Sequence, residues 1–237
     1  MASRSSRSSD LAAPLPAART VVRPLFPNDR RMCSPSSLER MPAHSKVSAA
    51  RTFFRQWLQN PLSIAALAPS GRQLTRRMIA ELPRDATRVV EFGAGTGVFT
   101  RALVQHGIAP VNLLALELNE PLYQHLAEEF PDARVFCGDA RRVKLIASAC
   151  GFLDCGKADA VISGLGLLSM SRQLQLEILG AAVSVLKPGG CFIQFTYGPT
   201  SPVPRAVRAE LRLSVRRGGF AFWNLPPACV YVYTLNR

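Results

Sequence analysis

The tightest constraint on this chain is a single turn. A short apolar run, Arg88–Phe92, leads into Gly93-Ala94-Gly95-Thr96-Gly97, and a helical pattern follows over Gly97–His106. A strand that ends in closely spaced glycines and then turns into a helix brings bare backbone to the carboxyl edge of a sheet, where a ligand can approach it. The spacing is G-x-G-x-G, not the G-x-G-x-x-G that seats a dinucleotide's pyrophosphate on a helix N-terminus. Glu91, two positions before the first glycine, is a poor neighbour for a diphosphate. It suits a ligand that carries a cationic amino group.

The pattern around that turn alternates. Strands are expected at Arg88–Phe92, Val111–Leu118, Ala133–Cys137, Ala158–Ser163 and Cys191–Tyr197. Helices are expected at Leu74–Leu82, Gly97–His106, Pro121–Phe130 and Arg172–Leu186, the last stopped by Lys187-Pro188-Gly189-Gly190. Alternation of this kind implies a doubly wound, mostly parallel α/β sheet with helices on both faces. Beyond it, Leu211, Leu213 and Val215 alternate with polar residues, and Val230 and Val232 alternate with Tyr231 and Tyr233. These read as two more strands joined by a loop, which makes seven, and at least one of them should run antiparallel. The second strand carries Glu117, placed to accept ribose hydroxyls. Gly138-Asp139 follows the third strand, where an acid can accept an adenine's exocyclic amine.

Together, the glycine turn, Glu117 and Asp139, each after its own strand, resemble the class I S-adenosylmethionine-dependent methyltransferases over roughly Arg88 to Leu186. The resemblance implies a Rossmann-like fold and S-adenosyl-L-methionine as cofactor. It implies that Glu91, Gly93, Gly95, Gly97, Glu117 and Asp139 hold the cofactor, with Ser163 beside them at the end of the fourth strand.

The methyl acceptor is read from the other loops. After the fourth strand comes Ser163-Gly164-Leu165-Gly166-Leu167-Leu168. This loop lacks the Asn or Asp, Pro and aromatic that grip a flipped base, and it suits an apolar or lipid substrate better. Together with Ala68-Pro69-Ser70, Gln194-Phe195-Thr196-Tyr197-Gly198-Pro199, Pro202-Val203-Pro204-Arg205 and Asn224-Leu225-Pro226-Pro227-Ala228, the loop resembles the soluble type of bacterial phosphatidylethanolamine N-methyltransferases from about Phe53 to Tyr233. That likeness implies stepwise methylation of phosphatidylethanolamine toward phosphatidylcholine. It departs from the family at Gly166, where proline usually stands. Tyr197, Arg205 and Tyr231 are the candidates on the acceptor side. Tyr197 either orients a methylated ammonium or packs as a half-buried aromatic. Arg205 either holds a lipid phosphate or is a solvated arginine. Tyr231 either points at solvent, a partner or the pocket mouth, or packs.

The chain carries 29 Lys and Arg against 16 Asp and Glu, a net charge of +13, which points to an anionic partner. Residues 1–45 read as a basic, disordered tail with seven Arg against Asp10, Asp29 and Glu39. A targeting segment, or a stretch upstream of a true start at Met41, are the other readings. Residues 46–60 read as an amphipathic helix. In it Lys46, Arg51, Phe54, Arg55 and Trp57 suit an anionic membrane surface, or else the helix packs as a lid. Residues 61–237 form the methyltransferase domain. No stretch approaches the ~18 apolar residues of a spanning helix. The six cysteines show no zinc spacing, so no metal is expected. The expected location is cytoplasmic, peripheral to the inner face of the cell membrane. The rival functions are an RNA adenine N-methyltransferase, supported by the charge, and a non-catalytic cofactor-binding membrane-surface protein, supported by Gly166. Nucleic acid is the less favoured partner, because the base-gripping loop is missing.

Overall fold

Strands covered on both faces lose the alternation of apolar and polar residues. In the computed structural model, which describes residues 69–222 and 227–236, β1 (Val89–Phe92), β2 (Leu113–Glu117) and β4 (Ala158–Ser163) are buried at every position. β3 (Arg134–Cys137), at the edge, is only half-buried. β5 (Leu186–Thr196), β6 (Leu213–Ala221) and β7 (Ala228–Leu235) complete a seven-stranded sheet of order β3-β2-β1-β4-β5-β7-β6. β1 through β5 pair in parallel, and β7 runs antiparallel to both β5 and β6. The hairpin connection between β6 and β7 requires that reversal. It also leaves β6 pointing the same way as β1.

Helices cover both faces. On one side, Leu74 and Met78 of α1 (Pro69–Ile79) and Phe99 and Leu103 of α2 (Val98–His106) pack on Val89, Leu113, Ile162 and Ile193. Leu126 of α3 (Glu120–Glu129) packs on Ala115, which points the same way as Leu113. α3 starts where the sequence signals it. Asn119 accepts the Leu122 N–H at 3.1 Å and Pro121 lies in the first turn. On the other side, α4 (Val143–Ala149), α5 (Arg172–Val185) and α6 (Arg205–Glu210) bury Val143, Ala147, Ile178, Ala182 and Val207 against Val90, Phe92, Leu114, Val161 and Phe192.

Several elements differ from the sequence reading, and α1 starts five residues and ends three residues earlier than expected. α4 lies between β3 and β4, where no helix is expected. It has seven residues and buries only Val143 and Ala147, one i, i+4 pair, too little for a periodic signal. α6 is shorter still. β5 begins at Leu186, so Lys187–Gly190 belongs to a strand whose pairing with β4 shifts register between Ala158 and Ala160. The proposed tail at 1–45 and membrane helix at 46–60 lie outside the described residues.

Candidate active site

β1 and β4 are neighbours whose connections leave in opposite directions, so a crevice opens between their carboxyl ends. The two loops there touch backbone to backbone. The Gly164 N–H donates to the Phe92 carbonyl at 2.8 Å, and a Cβ on Gly164 would lie 2.7 Å from the Gly93 carbonyl oxygen. Gly93, at φ +68°, turns the chain in the left-handed region, where side chains are strained. Gly97 serves packing. A Cβ there would meet Leu126 at 2.8 Å and the Phe130 ring at 3.0 Å, so the glycine lets α3 close on the start of α2.

Glu91 lies on β1 with its side chain under α2, fully buried. The Thr100 hydroxyl donates to Glu91 Oε2 at 2.6 Å, while Oε1 has no partner among the described residues. Burial pushes the carboxyl up to about 8, against the pull of Thr100's hydrogen bonds and with some help from the Glu117 charge. A buried acid with one unmet oxygen is a receptor for a cationic N–H donor.

Glu117 and Asp139 are held differently. Glu117 Oε2 accepts the Gly95 N–H at 2.7 Å and Oε1 accepts the Asn119 N–H at 2.9 Å. Each oxygen keeps a further acceptor site for a diol's hydroxyls. Asp139 accepts from the Arg141 N–H at 2.9 Å and from Arg141 Nε at 2.8 Å, and Arg141 also reaches Glu177 on α5 at 3.0 Å. Burial raises the Asp139 carboxyl. The Arg141 hydrogen bonds and the Arg141 and Arg142 charges outweigh that and hold it below the usual range. Ser163 is buried, and its hydroxyl accepts the Leu165 N–H at 3.2 Å, so it shapes the β4 loop. The cofactor residues read from the sequence thus converge on one sheet edge. Thr100 and Arg141 were missed. The D-x-R spacing of Asp139 and Arg141 was a usable signal, whereas Thr100 needed the turn of the glycine loop to come under Glu91.

The three acceptor candidates do not come together. Tyr197 is half-buried on the α1–α2 side, edge-on to Phe195 at 5.5 Å. Tyr231 is buried on the opposite face, and its hydroxyl donates to the Pro199 carbonyl at 2.6 Å, so it packs and clamps a loop. Arg205 opens α6 at the surface.

The methyltransferase-domain family profile matches residues 89–190. The chain is 31% identical over 185 residues to the ornithine lipid N-methyltransferase of Singulisphaera acidiphila, a match covering 76% of this chain and 92% of that protein. Its fold is similar to that of the N-methyltransferase NodS from Bradyrhizobium japonicum WM9, in complex with S-adenosyl-L-homocysteine, with a TM-score of 0.57, 11% identity, and 79% and 98% of the two chains covered. The 1,6-didemethyltoxoflavin-N1-methyltransferase of Burkholderia thailandensis gives a TM-score of 0.57 at 15% identity, covering 82% of this chain and 94% of that one. The relative matched along most of this chain and the glycine loop with its three acids, each at the end of its own strand, lead to one conclusion: the chain belongs to the class I S-adenosylmethionine-dependent methyltransferases.

Proposed function

We propose that this enzyme methylates the amine of a membrane lipid head group, phosphatidylethanolamine and its methylated forms, toward phosphatidylcholine. The carrying observation is that four of the seven large apolar side chains exposed among the described residues lie at one edge, while Val111 and Leu235 are at the opposite edge and Leu145 is on α4. Leu118 (59% exposed) follows β2, Leu168 (46%) sits in the β4 loop, and Phe220 (39%) and Phe222 (63%) end β6. All four are at the carboxyl edge, where the site opens. Arg217 lies over the Phe220 ring at 5.7 Å. An apolar rim with cations among it is the composition of a surface that meets anionic lipid. The net charge of +13 supports the same partner, and the segment with Lys46, Arg51, Phe54, Arg55 and Trp57, if helical as its sequence suggests, would add to the contact.

S-adenosylmethionine bound at this edge supplies a methyl group already activated on its sulfonium. The fit rests on the unmet Glu91 Oε1 for the cofactor's ammonium, on Glu117 for its ribose and on Asp139 for its adenine. The residues of the chain then have mainly to align the acceptor amine and keep water out. The likeness to an ornithine lipid N-methyltransferase supports a second acceptor, an aminoacyl lipid. Both lipids offer a primary amine at the bilayer surface.

The test is methyl transfer from labelled cofactor. The tubes would hold vesicles of anionic lipid with phosphatidylethanolamine, vesicles with an ornithine lipid, and structured RNA. Label in phosphatidylethanolamine is the expected result, and label in the ornithine lipid alone would move the acceptor to that class. Label only in RNA, or in no lipid, would contradict the reading.

A further inference from the structure

Buried polar atoms are nearly always hydrogen-bonded, so the exceptions point to what they are kept for. Among the described residues, five buried side-chain polar atoms have no partner. One, Arg88 Nε, starts β1 at the far edge. The others are Glu91 Oε1, Gln175 Oε1, Gln194 Oε1 and Thr196 Oγ. All four are oxygens, and all four are at the carboxyl edge. Glu91 belongs to the cofactor. The other three share the opposite face of the sheet. Gln194 and Thr196 follow Phe192 at every second position of β5 and so share its face, and Gln175 comes down on that face from α5.

The two glutamines are oriented without ambiguity. Gln194 Nε2 donates to the Leu165 carbonyl at 2.9 Å and the Phe195 carbonyl at 2.8 Å. Gln175 Nε2 donates to the Leu167 carbonyl at 2.7 Å and the Pro202 carbonyl at 3.3 Å. A carbonyl only accepts, so each amide nitrogen must face the carbonyls and each Oε1 must face elsewhere. Both glutamines therefore hold the β4 loop in place and turn a bare acceptor away from it. Thr196, two residues beyond Gln194 on β5, adds a hydroxyl.

We infer that Gln194, Thr196 and Gln175 form the acceptor-amine site, a cradle of neutral oxygens that takes the N–H donors of a primary amine or ammonium. The inference rests on the reading of a lipid-amine acceptor and names the residues that would grip it. A cradle of acceptors attracts an ammonium and repels a phosphate or carboxylate. It also counts methyl groups. A primary ammonium brings three N–H donors; in each round one proton goes to water, the freed lone pair takes the methyl as the sulfonium's S–C bond breaks, and the new ammonium has one donor fewer, so a trimethylammonium has none left. Grip therefore weakens with each round, and the finished product is released.

The experiment uses Thr196, because its hydroxyl has no partner in the described protein. Thr196→Val keeps the shape, and Thr196→Ser restores the hydroxyl. Melting temperature is read on the full chain saturated with S-adenosylhomocysteine, with glycerophosphoethanolamine or glycerophosphocholine added, and methyl transfer to phosphatidylethanolamine vesicles is read in parallel. In the wild type, glycerophosphoethanolamine should raise the melting temperature more than glycerophosphocholine. Thr196→Val should melt no lower than wild type when no head group is added, since a buried unmet hydroxyl contributes nothing. It should lose the head-group preference, and kcat/KM for the lipid should fall about tenfold, as for one hydrogen bond to a charged group. Affinity for S-adenosylhomocysteine should stay unchanged, and Thr196→Ser should recover the preference. A Thr196→Val protein that keeps the preference, or a wild type without one, overturns the inference. Absence of label in any lipid speaks instead against the lipid reading, because the melting shifts do not depend on turnover.

Discussion

Glu117 and Asp139 are tied into the chain that surrounds them, by Gly95 and Asn119 in one case and by Arg141 in the other. Across the switch point, Gln175, Gln194 and Thr196 each leave an oxygen unmet. On one half of the sheet edge the oxygens of the acids are taken up by the chain's own donors, Gly95, Asn119 and Arg141, while on the other the amide nitrogens are taken up, Gln175 by Leu167 and Pro202 and Gln194 by Leu165 and Phe195, and the oxygens are left over. The difference matches what each half would bind. A cofactor common to a whole family is met by acids whose orientation the chain's own donors fix. A particular acceptor is met by acceptor atoms that the fold itself does not satisfy. Glu91 stands at the boundary, half partnered by Thr100 and half unmet.

Substitutions in each half should have distinct effects, and the largest is at Glu91. Glu91→Gln removes the carboxylate opposite the cofactor's ammonium, and kcat/KM for S-adenosylmethionine should fall by about a hundredfold or more, as for one lost partner of a buried charge pair. The same variant has a stability signature. Burial raises Glu91 from 4.5 to about 8 in the folded chain. Between those values the folded state holds a proton that the unfolded state has released, so wild-type stability falls as pH rises through that window and levels off above it. The Gln variant should lack that slope, which melting temperature against pH would show.

Gly164→Ala tests the contact between the halves. Its Cβ would press on the Gly93 carbonyl from 2.7 Å, and backbone cannot step aside cheaply. A loss of about 1–3 kcal/mol is expected, and binding of both cofactor and lipid should weaken together. A variant that melts like wild type would mean that the two loops are not locked.

Arg141→Ala separates the halves. Arg141 is a positioning residue, holding Asp139 against α5 through Glu177. KM for the cofactor should rise roughly fivefold with kcat nearly unchanged, the pattern of lost ground-state binding. KM for the lipid should not move.

The smallest effect belongs to Gly166. Its φ of −80° and ψ of 61°, with the Leu167 N–H donating to the Leu165 carbonyl at 3.0 Å, make an inverse γ-turn. Proline fits that φ, so the departure from the phosphatidylethanolamine N-methyltransferase pattern has left the conformation compatible with proline. Gly166→Pro should stabilise the protein by about 0.4–1 kcal/mol, with cofactor affinity unchanged.

Much of the cofactor half was legible because its residues sit where apolar runs end. Glu117 and Asp139 are each the acid at the end of a strand, and the apolar runs of β1, β2 and β4 announce their burial. The acceptor half was not. Tyr231 alternates with valines as a half-exposed strand residue would, but β7 lies between β5 and β6 and buries both of its faces. β6 runs on to Ala221 through Gly218 and Gly219, which no alternation predicts. The end of α1 and the turn after it come so close that a Cβ on Gly219 would lie 2.8 Å from Arg77 and one on Gly218 2.6 Å from Glu81 Oε1, and Glu81 accepts the Gly219 N–H at 2.9 Å. The glutamine cradle has no pattern along the chain, because Gln175 and Gln194 meet their partners only once α5, β5 and the two loops are packed.

The most direct test of the account is a calorimetric titration of S-adenosylmethionine at pH 7, run in two buffers of different ionisation enthalpy. Glu91 is largely protonated at that pH and must ionise to pair with the cofactor's ammonium. The account predicts proton release on binding, seen as heats that differ between the buffers, and loss of that difference in Glu91→Gln. Equal heats in the two buffers, or a Gln variant that binds as wild type does, would contradict the seating of the cofactor's ammonium on Glu91.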